Sequence, residues 1–438
     1  MFFNRKDTKT VNAALPAAYF ESPNRPLCLE KMEEAIRGEG KKKKGAIIKL
    51  YIENFKLFND TFGYDYGGLL LEEIARFMAG TLNADVYRYA GVEFISIMEG
   101  ASFTQASEAV ERVLERFEST WRINDLDCMC AVDMGVVLYP ERAQSAEEAA
   151  KHLDLAVSES ASKGQNQYTF YNQELEDKIC RKQIIAQNIK NAIKSGEGIE
   201  VRYRPTFNLE RQQFTRAEGY LRLFSPELGV LSAQEFLPVA EELGLICAVN
   251  EFELRRACKL IKELLAEKKD FETIAVLISP IMFLQEHFPD DVRAMLKEYD
   301  IPANKLAFEI TESVLIDSFA RVNIVMQELS DMEIEFVLNE FGTGYSGINN
   351  ILSLPIDVLK LERLFVWQLE ENPRSGYIIQ GLIQIAHNLG LKLIAEGVET
   401  ENQIQRLAEY GCRYEQGFYY SPTVDVLGLK ELLNPIQE

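Results

Sequence analysis

The sequence is poor in the residues that metal-centred and disulfide-stabilised proteins use most. Its 438 residues include three histidines, His152, His287 and His387, and none of its seven cysteines forms a C-x-x-C pair. A histidine-based zinc site or a His-centred catalytic triad is therefore not expected. Scattered cysteines are typical of free thiols in a reducing compartment, so we expect a cytoplasmic protein.

Long apolar runs and positive charge are also scarce. No stretch of about 18 apolar residues occurs, and we therefore expect no membrane span. The chain carries 47 basic and 68 acidic side chains, a net charge of -21. This balance disfavours polymeric nucleic acid as a partner, because such binding depends largely on basic side chains. A small nucleotide held by a few placed residues is compatible with it.

The first half of the chain shows the alternation of helix and strand that is typical of an α+β sheet domain, which we expect over residues 15–171. Ala90 and Gly91 join two apolar runs and predict a hairpin. Ser145 and Glu148 predict a capping box at the start of a helix. The predicted strands are 46–52, 85–89, 92–98, 129–139 and 166–171, and one predicted helix spans 104–121.

Residues 172–197 are predicted to be a linker that is largely one helix. Its apolar positions fall mostly on one face, and Gly196 is a suitable stop. Such a helix is about 35 Å long, and its apolar face should pack on a neighbouring domain or on a second chain. The apolar positions are Leu175, Ile179, Ile185, Ile189 and Ile193.

Residues 198–438 alternate strands with helices and predict a (β/α)8-type barrel. Polar residues fall toward the ends of successive strands, where the mouth of such a barrel lies. Carboxylates converging around one lysine suit Mg²⁺ with a phosphate ester. Alternatively, these are loop charges that lie far apart. The strands are predicted at 199–203, 214–223, 273–279, 306–312, 335–341, 358–362, 392–398 and 414–420. The polar residues are Glu218, Glu309, Glu340, Lys360, Glu396 and Gln416.

Several segments of the second half resemble, in order and spacing, the signatures of EAL phosphodiesterases. Glu218 to Arg222 reads EGYLR, where the family has EALLR. The other matching segments are FLPVAE at 236–241, EITES at 309–313, FGTGYS at 341–346, LPIDVLK at 354–360, AEGVET at 395–400 and QGF at 416–418. The resemblance covers about residues 198–434. It implies an EAL barrel, and the family cleaves cyclic di-GMP (c-di-GMP) to linear pGpG with two metal ions.

The resemblance also implies roles for residues that this sequence retains. Glu218 and Glu309 match metal-binding carboxylates, and Lys360 matches the lysine that positions the attacking water. The further matches are Glu396, an acidic site residue; Glu399, a loop-orienting glutamate; Gln416, a glutamine at the mouth; Arg222, an arginine that contacts a ligand phosphate; and Pro238, on a ligand-contacting loop.

Three departures bear on the metal site. Leu277 stands where the family has a metal-ligating asparagine, and Asn339 and Glu340 stand where it has an aspartate pair. Leucine offers no lone pair, and Mg²⁺ demands near-ideal octahedral geometry. We therefore expect little or no hydrolysis and no required cofactor. The retained set permits one weakly held Mg²⁺ or Mn²⁺ on Glu218, Glu309 and Asn339.

A fourth departure bears on ligand binding. Arg204 stands in the family's Tyr-Gln-Pro segment. Its guanidinium either pairs with a guanine or phosphate of the ligand or neutralises Glu218 and blocks the pocket.

The first half resembles a GGDEF diguanylate cyclase domain, with a ferredoxin-like or palm fold. The resemblance rests on FKLFNDTFGYD at 55–65, RYAGVEF at 88–94 and GQN at 164–166. The signature loop reads AGVEF, with Val92 in place of a metal-ligating acid. The other positions at which the family's functional residues are replaced are Tyr51, Gly68, Thr81, Ala84, Ala161 and Gln165, whereas the guanine-reading Asn59 is retained. We expect no cyclase activity.

Taken together, the sequence predicts an inactive or nearly inactive GGDEF–EAL protein that acts as a c-di-GMP receptor or scaffold. The alternatives are a slow metal-dependent phosphodiesterase and a ligand-free protein-interaction scaffold. The ligand-binding set is Arg204, Glu218, Arg222, Pro238, Lys360, Glu396, Glu399 and Gln416. A protein partner of unknown identity is expected, and family analogy suggests a homodimer through the EAL-like domain.

Overall fold

The computed structural model describes residues 24–38, 44–311, 319–341, 354–370 and 372–436, without the side chains of residues 319, 320, 340, 341 and 373. The chain divides into two compact units, Met1–Arg181 and Lys182–Glu438, which we call the N-terminal and C-terminal units. No helix in the described part of the chain is long and apolar enough to cross a membrane. All seven cysteines lie in the described ranges and are free thiols.

The N-terminal unit is built on a sheet with the strand order β2-β3-β1-β6-β7. Strands β6 and β7 are parallel, and the other neighbours are antiparallel. The described elements, in chain order, are α1 (Arg25–Arg37), β1 (Gly45–Ile52), α2 (Phe55–Phe62), α3 (Tyr64–Leu82), β2 (Val86–Ala90), β3 (Glu93–Glu99), α4 (Phe103–Phe117), β4 (Trp121–Ile123), β5 (Leu126–Cys128), β6 (Val132–Tyr139), α5 (Ala146–Ser162) and β7 (Tyr168–Phe170).

Both faces of this sheet are buried, because β1 and β6 are apolar on both sides. One face packs against α3 and α4, with Leu70 and Val110 in its core. The other packs against α1 and α5, with Met32 and Leu153. The predicted α+β class and the hairpin at Ala90 and Gly91 are confirmed.

Two predictions for this unit were wrong in detail. The helix expected over 104–121 ends at Phe117, and Trp121 instead begins β4, which pairs with β5. The Trp121 ring is buried and packs against Phe117, so this apolar residue belongs to the core without continuing the helix. The capping box at Ser145 is only half formed. Its hydroxyl accepts from the Glu148 N–H at 3.2 Å, but the Glu148 carboxylate accepts from the Gln144 N–H.

Helix α6 (Gln173–Ser195) is the predicted single helix, and it contains the boundary between the units. Leu175 near its start packs in the N-terminal unit. Ile185 and Ile189 are buried in the C-terminal unit. Gly196 ends the helix with a φ of 75° and donates its N–H to the Ala192 carbonyl. The apolar face is therefore covered by the chain's own two units.

The C-terminal unit is an eight-stranded closed barrel among the described residues. Its elements are β8 (Ile199–Asn208), β9 (Gln213–Ser225), β10 (Gly229–Ser232), α7 (Ala233–Glu242), α8 (Ile246–Ala266), β11 (Thr273–Leu277), α9 (Pro280–Phe283), α10 (Phe288–Tyr299), β12 (Leu306–Thr311), α11 (Phe319–Ser330), β13 (Glu335–Phe341), β14 (Val358–Leu361), α12 (Arg363–Trp367), α13 (Pro373–Asn388), β15 (Lys392–Glu396), α14 (Glu401–Glu409), β16 (Tyr414–Gln416) and α15 (Val426–Leu432).

The barrel runs β9-β11-β12-β13-β14-β15-β16-β8 and closes where β8 pairs with β9. Strands β9 and β11 to β16 are parallel, and β8 is antiparallel to both of its neighbours. The eight predicted strands are confirmed, and β13 matches its predicted range. The predicted capping box at Ser232 also forms, since the Ser232 N–H donates to Glu235 Oε2 at 3.0 Å.

The structure corrects the expected place of Glu218 on its strand. Sequence analysis placed this residue toward the end of a strand, although the predicted strand itself ran to residue 223, and β9 ends at Ser225, seven residues after Glu218. The part of β9 after Glu218 pairs with β8 and with β10, a short strand that the sequence did not predict. Glu218 still reaches the barrel interior, since Ala275 of β11 lies opposite it.

We predict that Gly417→Ala destabilises the C-terminal unit by about 2–4 kcal/mol, because cores cannot absorb a backbone clash. A Cβ atom at Gly417 would lie 2.1 Å from the Val398 carbonyl oxygen and 2.4 Å from its nitrogen. Chemical unfolding followed by circular dichroism measures the loss.

Gly381→Ala on α13 is the matched control, since a Cβ atom there meets nothing within 4 Å. This variant should be neutral or more stable by up to about 1 kcal/mol, because alanine is the better helix former. Equal stability of the two variants would contradict the clash at Gly417.

Candidate functional site

The strand register brings the predicted site residues together at one end of the barrel. Leu277 on β11 lies opposite Glu309 on β12, and Glu396 on β15 lies opposite Gln416 on β16. Where β8 pairs with β9 and closes the barrel, Arg204 lies opposite Glu218. The loop-charge alternative for these residues is thereby excluded.

Lys360 lies at the centre of this group with a side chain that is 1% exposed. Its Nζ atom is 2.5 Å from Glu218 Oε2 and 3.3 Å from Glu309 Oε1. Strand alternation explains the position, because Leu359 and Leu361 pack outward in the core of the unit while Lys360 points into the barrel. One ammonium therefore bridges two buried carboxylates.

Arg204 forms a second ion pair in the same mouth. Its Nη1 atom lies 2.6 Å from Glu396 Oε1 and 3.8 Å from Glu218 Oε2. The guanidinium also lies over the Tyr220 ring, 5.3 Å from the centroid. The principal partner of Arg204 is thus Glu396, whereas the sequence analysis had named Glu218.

Burial and these cations set the protonation of the carboxyl groups. Burial disfavours ionisation of Glu218, but Lys360 and Arg204 outweigh it and hold the pKa of its carboxyl below the ordinary value. Burial, with the nearby Glu218 charge, raises the pKa of Glu309 to about 8. Glu218 is therefore the more readily ionised partner of Lys360, and Glu309 the more readily protonated one.

Glu253, which the sequence analysis did not single out, lies next to this cluster. It is 2% exposed, on α8, and burial followed by the charges of Glu218 and Glu309 raises its pKa to about 8. The absence of a side chain at Gly219 makes room for it, since a Cβ atom there would lie 2.8 Å from Glu253 Oε1. The carboxyl is neutral at pH 7.

Among the described residues, one of the positions at which the family holds a metal is apolar. Leu277 places an apolar side chain opposite Glu309, and Lys360 already bonds both carboxylates. Within the described ranges, no three His, Cys, Asp or Glu side chains are grouped to hold a metal ion. The side chain of Glu340 lies outside the described residues, and Asn339 stands opposite Thr311 on β12.

The predicted ligand-contacting residues lie in different settings. Arg222 is half-buried on β9 and, by alternation, shares the strand face of Glu218 and Tyr220. Gln416 is 1% exposed, and its Nε2 atom donates to the Arg204 carbonyl at 3.2 Å. Glu399 is exposed after β15.

Pro238 corrects a prediction. The resemblance had placed it on a loop, but it is an exposed residue inside α7. Its missing N–H forgoes only one helical hydrogen bond near the start of this ten-residue helix.

The N-terminal unit contains a second buried lysine at the site of the altered cyclase signature. Lys49 on β1 is 2.9 Å from Glu93 and 2.6 Å from Asp154 of α5. Phe94 is fully buried and Val92 packs against the same core, so both side chains contribute to the packing of this hairpin. Glu93 does more than pack, because it neutralises Lys49.

Two family models match the chain. One described as EAL domain covers residues 186–423, and one described as Diguanylate cyclase, GGDEF domain covers residues 21–167. The chain belongs to the GGDEF–EAL family.

The relatives of this GGDEF–EAL protein are longer than it is. It is 27% identical over 417 residues to the Pseudomonas aeruginosa bifunctional diguanylate cyclase/cyclic di-GMP phosphodiesterase MucR. This alignment covers 94% of the chain and 61% of MucR. It is 30% identical over 377 residues to an uncharacterized signaling protein of Caulobacter vibrioides, covering 85% of this chain and 46% of that one. The chain thus spans less than two thirds of the length of these relatives.

Solved structures support the same assignment. The PaMucR phosphodiesterase in complex with c-di-GMP matches 56% of this GGDEF–EAL chain and 99% of its own, with a TM-score of 0.53 and 29% identity. The EAL enzyme Bd1971, in a form with cAMP and cyclic-di-GMP bound, covers 89% of this chain with a TM-score of 0.58. At 20% identity, the second match supports the fold alone.

We predict that Glu253→Gln makes the protein more stable than the wild type, by on the order of 3 kcal/mol near pH 8. The wild-type carboxyl has its pKa raised from 4.5 to about 8 in the folded state. The folded state therefore binds more protons between these values, and wild-type stability falls as pH rises through this window. Glutamine has no proton to lose.

Chemical unfolding of both proteins between pH 5 and 9 measures the difference, which should be small at pH 5 and grow to pH 8. Glu409→Gln, at an exposed position on α14, is the control and should follow the wild type. A stability difference for Glu253→Gln that does not change with pH would show that Glu253 is ionised in the folded protein.

Proposed function

We propose that this GGDEF–EAL protein binds c-di-GMP at the mouth of its EAL barrel without hydrolysing it, and acts as a receptor that passes the signal to a protein partner. The observation that carries the loss of hydrolysis is Leu277, whose apolar side chain lies opposite Glu309 at a position where the family has a metal-ligating asparagine. The binding role is supported by Arg204 beside Glu218, by Arg222 further along β9, and by the likeness to a c-di-GMP-bound relative.

The substituted ligand positions oppose two divalent ions. A metal at Glu218 and Glu309 would need the proton removed from Glu309 and the ammonium displaced from both carboxylates. Leu277 returns no oxygen in exchange. A two-metal mechanism needs both ions to generate hydroxide and to stabilise the leaving oxygen. One weakly held Mg²⁺ or Mn²⁺ on Glu218, Glu309 and Asn339 is the most that this set supports.

Ligand binding does not depend on those ions. The two phosphodiester groups of c-di-GMP are anionic, and Arg222 and Arg204 present guanidinium groups along the seam of the barrel. Tyr220 adds an aromatic face beside Arg204. Arg204 is 26% exposed, so its guanidinium is within reach of a ligand entering the mouth.

The GGDEF half contributes no cyclase chemistry in this proposal. Its retained signature acid Glu93 is paired with Lys49, and a valine stands at position 92. Without placed charges at the reacting phosphates, the stabilisation of the transition state is lost. We propose that this half serves docking, and that a homodimer forms through the EAL half.

A ligand-free scaffold is the second candidate, and the Arg204–Glu396 ion pair favours it. In that case the Arg204–Glu396 ion pair closes the mouth, and no ligand takes the place of Glu396 as the partner of Arg204. The two candidates make opposite predictions for the loss of the Arg204 charge.

We predict heat on titration of the wild-type protein with c-di-GMP, with the same affinity in Mg²⁺ and in EDTA, because arginines hold the ligand. Arg204→Gln should weaken binding about tenfold, the loss of one charge-assisted contact. Isothermal titration calorimetry measures both. No heat from the wild type but binding by Arg204→Gln would overturn the receptor in favour of the scaffold. Arg413→Gln, which removes the partner of Glu210 at the other end of β8, is the matched control.

We predict that the wild type releases no pGpG overnight in Mg²⁺ or Mn²⁺, and that Leu277→Asn, Asn339→Asp and Glu340→Asp together produce it. The triple variant restores the family's oxygen ligands, and metal-bound water then becomes available as a nucleophile. Chromatography of the nucleotide products measures the outcome. The same triple variant with Glu309→Gln is the control and should be silent. Robust wild-type turnover would establish the slow phosphodiesterase instead.

A further inference from the structure

The end of strand β11 is held at the barrel mouth by a buried asparagine from helix α8. Asn250 is 2% exposed, and its Nδ2 atom donates to the Leu277 carbonyl at 2.8 Å. Its Oδ1 atom accepts the N–H of Ser279 at 3.0 Å. Both polar atoms of the Asn250 side chain therefore bond to the segment 277–279. Without Asn250, the Leu277 carbonyl and the Ser279 N–H would lose these partners.

The same segment is tied to the site on its other side. The N–H of Ile278 donates to the carbonyl of Glu309 at 2.8 Å, and Leu277 lies opposite Glu309 in the register. A shift of this segment therefore shifts the backbone that presents the Glu309 carboxyl to Lys360. Asn250 touches neither Lys360 nor Glu309 in the recorded hydrogen bonds, so it acts on them through the strand.

A second side chain reaches the segment from helix α7. The Ser279 hydroxyl donates to Glu241 Oε1 at 2.6 Å. Glu242, the next residue, forms an ion pair with Lys182 of α6 at 2.6 Å. The ends of α7 and of β11 are thus connected by polar contacts, and the same end of α7 is connected to α6.

Apolar packing connects these helices as well. Ile185 and Ile189 of α6 lie in one buried cluster with Phe236 of α7 and Val249 of α8. Val249 is the neighbour of Asn250 in sequence. A displacement of α6 would therefore also displace α7 and α8, the two helices whose side chains hold the end of β11.

We propose that Asn250 is a positioning residue for the barrel mouth, and that α6 regulates c-di-GMP affinity through α7, α8 and the Asn250 contacts with Leu277 and Ser279. The regulatory part rests on the proposed receptor function. The positioning part does not, since it concerns the backbone alone. The coupling is physical in kind, because packed helices and specific hydrogen bonds link the two ends.

The first test is amide hydrogen exchange of the intact protein without ligand. In Asn250→Ala the Ser279 N–H loses its acceptor, and its exchange should accelerate about tenfold or more. Asn250→Asp retains the acceptor and should keep the Ser279 N–H protected, while the Leu277 carbonyl loses its donor. Ile189→Ala on α6 should also raise exchange at Ser279. Unchanged exchange in Asn250→Ala would overturn the positioning role.

Asn208→Ala is the matched control. Asn208 is a buried asparagine with three recorded hydrogen bonds, to Glu210, Arg211 and Glu272, and it lies at the far end of β8 beside Tyr414. It should lower global stability by a similar amount without a selective effect at Ser279. Should Asn250→Ala fail to fold, Asn250→Leu decides, because leucine has the branched shape of asparagine and removes the acceptor of the Ser279 N–H without opening a cavity. Faster exchange at Ser279 supports the role, and unchanged exchange refutes it.

The second test is calorimetry with c-di-GMP. Asn250→Ala and Ile189→Ala should each weaken binding by about 5- to 10-fold, and Asn208→Ala should leave it unchanged. Wild-type affinity in both Asn250→Ala and Ile189→Ala would overturn the regulatory route while leaving the receptor intact. A wild-type protein that binds no c-di-GMP would refute the receptor, and the exchange experiment would still decide the positioning role.

Discussion

The ammonium of Lys360 is buried, and the C-terminal site depends on how its charge is compensated. A lone ammonium with 1% exposure would lose several kcal/mol of hydration, so the fold must supply carboxylates within hydrogen-bonding distance. Glu218 and Glu309 come from two other strands of the barrel and meet it there. The packing of the barrel therefore depends on the ion pairs that these two carboxyl groups make with Lys360.

A comparable compensation occurs in the N-terminal unit, where Lys49 is 4% exposed and is paired with Glu93 and Asp154. In both units the lysine lies on a strand that is paired on both sides, and one partner is an acid of the signature motif. The acids that remain in the two altered signatures, Glu93 and Glu218, are therefore paired with cations. Each acid has an internal cation as partner, which lets it be buried at low cost.

The architecture was predictable because apolar runs and helical periodicity record burial directly. The strand 335–341 and the helix α6 are examples. The antiparallel direction of β8 was not predictable in this way, since period-two patterns carry no direction. The strand β10 was not predictable either, because it exists through its pairing with the end of β9, which is a tertiary contact. Trp121 is a similar case, because only its pairing in β4 shows that the helix before it has already ended.

The site was predictable where a motif identifies the residue, as for Glu218, Glu309 and Lys360, and less so where side chains choose partners. Arg204 illustrates this, because only the folded barrel shows that Glu396 is nearer to it than Glu218. Glu253 and Asn250 interrupt the apolar stripe of α8 between Ile246 and Ala257. That interruption was a usable signal, since polar residues on a buried helix face need partners.

The ion pairs of Lys360 and Arg204 have a consequence for the proposed receptor. A dianionic nucleotide that enters the mouth would meet cations that are already paired, so its affinity depends on the contacts that it exchanges locally. The exchangeable contact is the Arg204–Glu396 pair, since Arg204 is the more exposed of the two cations. Loss of the guanidinium leaves Glu396 in contact with solvent, whereas loss of Lys360 would leave two buried carboxyl groups without a cation. In the proposed receptor, Arg204 is therefore the cation that changes partner and Lys360 the one that does not.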